Sequence, residues 1–304
     1  MPKHYDVAGR TVFITGAARG IGAGSARRLH AKGANVALVG LEPDKLEALA
    51  AQLGDRAAWF EADTTDADAL ERAVEGTVER FGGIDVGIAN AGIHMSGAVA
   101  TGPVDSIERT LNVNLFGVWR TDRALLPQIT ARRGYLLNIA SLAAASHAPL
   151  MAPYAASKAG VEAFTDVLRI ETSPTGARVG CAYFGFIDTD LVNQSFSQPS
   201  ATRLNEMAPG FLRTPAPVSK AIDAIERGIE RRAARLWAPA YVGPMLALRG
   251  ILQPLVERRM MSPRARAALE EALRLADPAQ GHVRHEDPVL GVASPGPGVP
   301  APSR

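Results

Sequence analysis

Tyr154 and Lys158 stand four residues apart in Tyr-Ala-Ala-Ser-Lys, a spacing that sets both side chains on one face of a helix. A phenol with an ordinary pKa of about 10 is a poor base at neutral pH. A neighbouring ammonium favours the phenolate, so such a pair can trade a proton with a hydroxyl or a carbonyl. In isolation a Tyr/Lys pair is more often an exposed helix face. Ser141 shifts that balance, because it follows an apolar run thirteen residues before Tyr154. That is the carboxyl edge at which open α/β sheets bind ligands, and its hydroxyl could hold a substrate oxygen.

A second constellation is Thr15-Gly-Ala-Ala-Arg-Gly-Ile-Gly22. Backbone N–H groups at a helix start attract a pyrophosphate, and residues without bulky side chains let it approach. Gly16 would allow the turn, Gly20 the close approach and Gly22 the packing of helix on strand. Alone, such a loop is as readily an ordinary turn; its place between an apolar strand and a helix favours a nucleotide. The second anchor is expected about 20 residues on, at the end of the next strand. There the chain reads Val39-Gly40-Leu41-Glu42. Glu42 could reach a ribose hydroxyl and Arg19 a 2′-phosphate, so NAD and NADP both stay open. Asp63 could accept from an adenine amino group or cap a helix.

Positioning these groups requires strands and helices in alternation. Thr11–Thr15, Asn35–Val39, Ala57–Glu61, Ile84–Ala89, Tyr135–Ile139 and Arg178–Phe184 read as strands, apolar enough for a sheet covered on both faces. Between them Ile21–Lys32, Asp44–Leu53, Asp66–Phe81, Asp105–Arg132 and Pro153–Glu171 read as helices. The alternation predicts right-handed crossovers and a Rossmann-type, doubly wound parallel sheet. Beyond Phe184 the rhythm breaks. Asp188–Pro217 has weak periodicity, Val218–Arg232 reads as a helix, Arg235–Ala238 as a short strand and Pro263–Leu275 as a last helix. The expected division is a dinucleotide-binding catalytic domain over 1–240, a helical lid or oligomer extension over 241–276, and a disordered Pro/Gly-rich tail over 277–304.

Composition narrows the classes further. The 304 residues are 47% hydrophobic with a net charge of +2, enough for a large core and no electrostatic reason to expect nucleic acid. The single cysteine, Cys181, excludes an internal disulfide framework and suits a reducing cytoplasm. No His/Asp/Glu grouping has metal-ligand spacing, so no metal is expected.

Together these pieces resemble the short-chain dehydrogenase/reductase family. The matching residues are Thr15–Gly22, Asn90-Ala91-Gly92, Asn114 within Val-Asn-Leu-Phe-Gly, and Ser141, Tyr154 and Lys158, over about residues 7–240. The resemblance implies NAD(P)-dependent hydride transfer between an alcohol and a ketone. By carry-over, Tyr154 is the general acid/base and Lys158 binds the nicotinamide ribose and lowers the tyrosine pKa. Ser141 orients the substrate oxygen, and Asn114 holds a water in the proton relay. Ala18, Arg19, Ile21, Leu41, Glu42, Asp63, Thr64, Asn90, Ala91, Gly92, Gly185, Ile187 and Thr189 join Gly16, Gly20 and Gly22 as cofactor contacts. Asn90 and Asn114 also read as structural amides. The family usually shows Pro-Gly where this chain has Phe184-Gly185, so the nicotinamide loop loses proline's fixed φ and is expected to be freer. A homodimer or homotetramer is implied as well.

Other residues admit more than one reading. Cys181 reads as core, and His94, Met95 and His147 could face substrate. Tyr241–Met261 is apolar at helical spacings, interrupted by Pro244 and Pro254. It reads first as a core or oligomer-contact helix pair, next as a lid over a lipophilic alcohol or ketone, and least as a membrane-surface segment. Two rival functions share the fold or the cofactor. One is a dehydratase or epimerase, which would need further acid/base groups near Tyr154. The other is a non-catalytic NAD(P)-binding sensor, which would need neither Tyr154 nor Lys158.

Overall fold

The apolar runs form strands whose alternate residues feed two separate cores. Val12 and Ile14 pack with Val36 and Leu38 on one face, while Phe13 packs with Ala37 and Val39 on the other. The computed structural model describes residues 4–277. Within them β1 (Thr11–Thr15), β2 (Asn35–Gly40), β3 (Ala57–Glu61), β4 (Val86–Ala89), β5 (Tyr135–Ser141), β6 (Arg178–Phe184) and β7 (Arg235–Ala238) form one sheet. Its order is β3-β2-β1-β4-β5-β6-β7, with every neighbouring pair parallel. This is the Rossmann-type arrangement. The order reverses between β1 and β4, and that switch point brings the loops after both strands side by side.

Helices α1 (Gly20–Ala31), α2 (Pro43–Leu53), α3 (Ala67–Phe81), α4 (Val104–Leu111), α5 (Gly117–Ala131) and α6 (Ala152–Thr172) make the crossovers. The single helix expected over Asp105–Arg132 is interrupted: a π-helical turn over Asn112–Phe116 separates α4 from α5. Such turns recur at functional sites, and this one carries the fully buried Asn114. Strand β4 begins at Val86 rather than Ile84, and β5 runs on through Ser141, so the serine is the strand's last residue.

The stretch of weak periodicity folds into three short helices, α7 (Asp190–Phe196), α8 (Pro199–Asn205) and α9 (Gly210–Arg213), before α10 (Val218–Arg231). The extension comprises α11 (Val242–Ala247), α12 (Arg249–Met260) and α13 (Pro263–Leu275). Tyr241, Met245 and Leu246 pack on Cys181, Tyr183 and Val161, as a core helix does. Helix α12 does not follow: it buries no residue. It is held instead by Arg249 on Glu162 at 2.7 Å and by the His147 N–H on Gln253 at 2.9 Å. Ala272 and Ala276, at the end of α13, pack on Ala98, Leu150 and Leu204, clasping the loops after β4 and β5. Among the described residues no helix is long and apolar enough to cross a membrane. The predicted tail lies outside the described residues from position 278 on.

Candidate active site

A cavity of about 260 Å³ opens at the carboxyl edge of the sheet. At one end stand Gly16, Ala18, Arg19, Gly20, Ile21, Leu41, Glu42, Asp63 and Thr64; Asn90, Ala91 and Gly92 follow, then Tyr154, Lys158, Gly185, Ile187 and Thr189. These residues lie far apart in sequence and meet because each strand delivers its own loop to this edge. Gly16 has φ +65°, and a Cβ there would lie 2.9 Å from the Ala91 Cα, so only glycine lets the two loops close together. Asn90 locks that junction: its amide donates to the Thr15 and Gly16 carbonyls at 2.9 and 3.2 Å. A nucleotide fits this cradle, which combines small residues at a helix start with backbone free to face a pyrophosphate.

At the adenosine end Glu42 accepts from Arg19 at 3.0 Å and from Lys45 at 2.7 Å. The acid and the base that pointed to different cofactors are therefore partners of each other. Asp63 accepts from the Thr65 N–H at 2.8 Å; the side chain that caps α3 is Asp66, on the Ala69 N–H. Asp63 thus turns the loop and still lines the cavity.

Three of the expected residues sit behind the cavity wall rather than on it. Gly22 packs under the Gly16 turn. Asn114 clamps Ile93, donating to its carbonyl at 2.8 Å and accepting from its N–H at 2.8 Å, and also donates to Ser157 Oγ at 3.3 Å. Ser141 Oγ donates to the Phe184 carbonyl at 3.2 Å and accepts from the Ala143 N–H at 3.1 Å. Gly92 keeps open the space between two of the polar groups. A side chain there would meet Asn114 Oδ1 at 3.2 Å and Lys158 Nζ at 3.6 Å.

Lys158 is buried, and its ammonium donates to the Ile139 carbonyl at 2.8 Å. Burial lowers its pKa to about 8. The Tyr154 ring opens on the cavity, but loss of hydration raises the pKa of the phenol and a hydrogen bond with Ser141 lowers it in part. The depression by Lys158 that spacing suggested is not the dominant effect. The ammonium lies 5.7 Å from the Tyr154 ring centroid and is directed at a backbone carbonyl.

The loop after β6, where the family usually has proline, is held by backbone hydrogen bonds. The Gly185 N–H donates to the Ala238 carbonyl at 2.9 Å, Asp188 N–H to the Ala216 carbonyl at 2.8 Å and Ala216 N–H to the Phe186 carbonyl at 2.9 Å. Tyr241 adds a hydrogen bond to the Phe186 backbone. This residue was legible only as part of an apolar stripe. Thr189 donates to the Ile187 carbonyl and caps α7 through the Val192 N–H. Sequence reasoning also missed Ile93, Arg109, Val113, Leu191, Val192 and Gln194 on the wall; of these Ile93, between Gly92 and His94, and Val113, beside Asn114, had a nearby signal. His94 lines the cavity, whereas Met95 and His147 do not. Among the described residues no group of three His, Cys, Asp or Glu side chains has metal-binding geometry.

This strand order, the glycine turn at its switch point and the Tyr-Lys pair on the same edge define a dinucleotide-binding oxidoreductase site. The short chain dehydrogenase family matches residues 10–200, and the chain belongs to it. It is similar to nodulation protein G of Rhizobium sp. (strain N33), 35% identical over 191 residues, which cover 62% of this chain and 78% of the relative. It is also similar to trans-4-hydroxycyclohexanecarboxylate dehydrogenase of Sinomonas cyclohexanicum, 36% identical over 61% of this chain and 75% of the relative. A third relative is 3beta-hydroxysteroid dehydrogenase 1 of Eggerthella lenta, 31% identical over 71% of this chain and 86% of the relative. The protein is thus a nicotinamide-dependent oxidoreductase of the alcohol/ketone class, acting on CH–OH groups of small molecules.

Proposed function

We propose that this enzyme interconverts a bulky, lipophilic secondary alcohol and its ketone, with Tyr154 as the proton carrier. The observation that carries the reading is that Tyr154 and Lys158 stand on the same cavity as the cradle of glycines, with Ser141 just behind its wall and hydrogen-bonded to Tyr154. The cofactor, when bound, supplies the hydride acceptor for oxidation or the donor for reduction. For reduction the Tyr154 hydroxyl gives its proton to the carbonyl oxygen as the carbon–hydrogen bond forms; for oxidation Tyr154 first passes its own proton outward, and the phenolate oxygen then takes the hydroxyl proton as that bond breaks. Ser141 orients the substrate oxygen. Lys158 holds the nicotinamide ribose, and a water in the gap that Gly92 leaves between Lys158 and Asn114 passes the proton outward. The preference for a lipophilic substrate is supported by Ile93, Leu191 and Val192 on the wall. The names of the hydroxysteroid dehydrogenases among the relatives, at 31–32% identity, support it too. The extension over 241–276 serves this pocket indirectly, by bracing the loops after β4, β5 and β6.

Tyr154→Phe tests the reading: turnover of a panel of secondary alcohols graded by size is abolished, while affinity for NAD(P)H stays within a few-fold. Substantial residual turnover would sink the acid/base role. Fluorescence titration with NADH and with NADPH, on the native enzyme and on Glu42→Gln, reads out the choice of cofactor. A carboxylate serves a ribose diol, whereas Arg19 and Lys45 released from it serve a 2′-phosphate.

A further inference from the structure

The imidazole of His94 has no part in the reaction just described, yet it touches the residue on which that reaction turns. The loop that carries it leaves β4 through Asn90-Ala91-Gly92 and is fixed by the Asn114 clamp on Ile93. From there the His94 ring stands nearly perpendicular to the Tyr154 ring, with centroids 4.8 Å apart and an interplanar angle of 77°. That is a favoured edge-to-face geometry for two aromatic rings. Nε2 lies 3.1 Å from Ser96 Oγ, which limits the rotation of the imidazole about its own axis.

Tyr154 sits in the first turn of α6, and its ring borders an open cavity. The groups that face it are Lys158 from its own helix, Ser141 from the end of β5 and His94 from the loop after β4. Of these, Ser141 addresses the hydroxyl, and Lys158 and His94 address the ring. Burial holds the His94 imidazole at a pKa of about 4, so at working pH it is a neutral wall. As a second cation it would repel Lys158 and draw water toward the phenol.

We propose that His94 is a positioning residue for Tyr154: its ring fixes the swing of the phenol so that the hydroxyl meets Ser141 and the substrate oxygen, and it keeps water from the phenol's flank. The inference rests on Tyr154 being the proton carrier. Loss of the ring that holds the phenol in place is expected to lower the rate about tenfold, about 1.4 kcal/mol in the barrier.

The test compares His94→Ala and His94→Phe with the native enzyme. Ultraviolet titration of phenolate, with Tyr154→Phe as the blank, isolates the ionisation of Tyr154 and needs no substrate. In His94→Ala that ionisation moves to lower pH, because water reaches the phenol. On the best alcohol of the graded panel kcat falls about tenfold, while cofactor affinity is unchanged. His94→Phe restores both, since it restores the ring without the imidazole. An unmoved titration, an unaltered kcat, or a phenylalanine variant no better than alanine would overturn the role. If Tyr154→Phe itself remains active, the acid/base reading fails first; if it is inactive while His94→Ala behaves as native, only the present inference fails.

Discussion

Helices α6 and α12 both carry apolar residues at helical spacings, and the two end in opposite surroundings. Helix α6 buries Val161, Thr165 and Leu168 against β5 and β6, and its polar groups find partners there: Lys158 donates to the Ile139 carbonyl, and Thr165 accepts from Asn138 Nδ2. On α12 and the residue before it, Leu248, Ile251 and Leu255 are 50%, 64% and 56% exposed. Periodicity reports the helix and the side that is apolar. It does not report what covers that side, which depends on where the flanking chain enters the fold. Helix α6 begins directly above the strand that carries Ser141, whereas α12 starts after α11 has already filled the groove over Cys181 and Tyr183.

The sharpest way to break this contrast is to remove the group that α6 buries at greatest cost. Lys158→Ala takes away a buried ammonium that donates to the sheet and faces the Tyr154 ring. Turnover is expected to fall by about 10²–10⁴, the range for loss of acid/base assistance, with the fold retained by circular dichroism. A loss of only a few-fold would mean that α6 is as passive toward the chemistry as α12 is.

A smaller effect lies beneath the same helix. Asp122 on α5 is fully buried and accepts from Asn138 Nδ2 at 2.7 Å, while Asn138 also donates to Thr165. Among the described residues, Asp122 Oδ1 and Asn138 Oδ1 find no hydrogen-bond donor, an expensive arrangement for an ionised carboxylate. Burial accordingly raises the Asp122 pKa to about 8. The native state keeps this proton between about pH 4 and 8, where the unfolded chain has released it. Its contribution to stability is therefore complete at low pH and declines as pH rises toward 8, by up to about 1.4 kcal/mol per pH unit. Asp122→Asn should flatten that decline in urea titrations run across the range. An unchanged slope would place the carboxylate in its ordinary ionised state.

How far the sequence could be read follows the same line. The strands of the sheet and the glycine turn were legible because local spacing and the order of elements determine them; Asn90 was marked by the family resemblance alone, and Tyr154 and Lys158 by their spacing together with that resemblance. The π turn at Asn112–Phe116 was not, since a widened turn leaves the apolar pattern of Asp105–Arg132 nearly intact. Tyr241 holding the Phe186 backbone, and Glu42 taken up by Arg19, were equally hidden. Each joins residues remote or only loosely related in sequence, and no periodicity records such a pairing. For Tyr241–Met261 the helices were legible, but within the single chain burial stops at Leu246.

The smallest predicted effect tests the α12 side of the contrast directly. In Ile251→Ser/Leu255→Ser, two apolar side chains that already face water are replaced by hydroxyls. No buried apolar contact is lost and no polar group is stranded, so the chain's own stability should change by no more than about 0.5 kcal/mol. Denaturant unfolding of a dilute sample measures this. Light scattering on the same variant reads the mass of the assembly, which bears on the oligomer that the family resemblance implies. A stability loss above about 2 kcal/mol together with a drop in mass would show that a second copy covers the stripe. The difference between α6 and α12 would then lie in which chain supplies the cover. Unchanged mass and stability would leave α12 as an apolar surface whose exposure belongs to the fold itself, braced to the catalytic helix through Arg249 and Glu162.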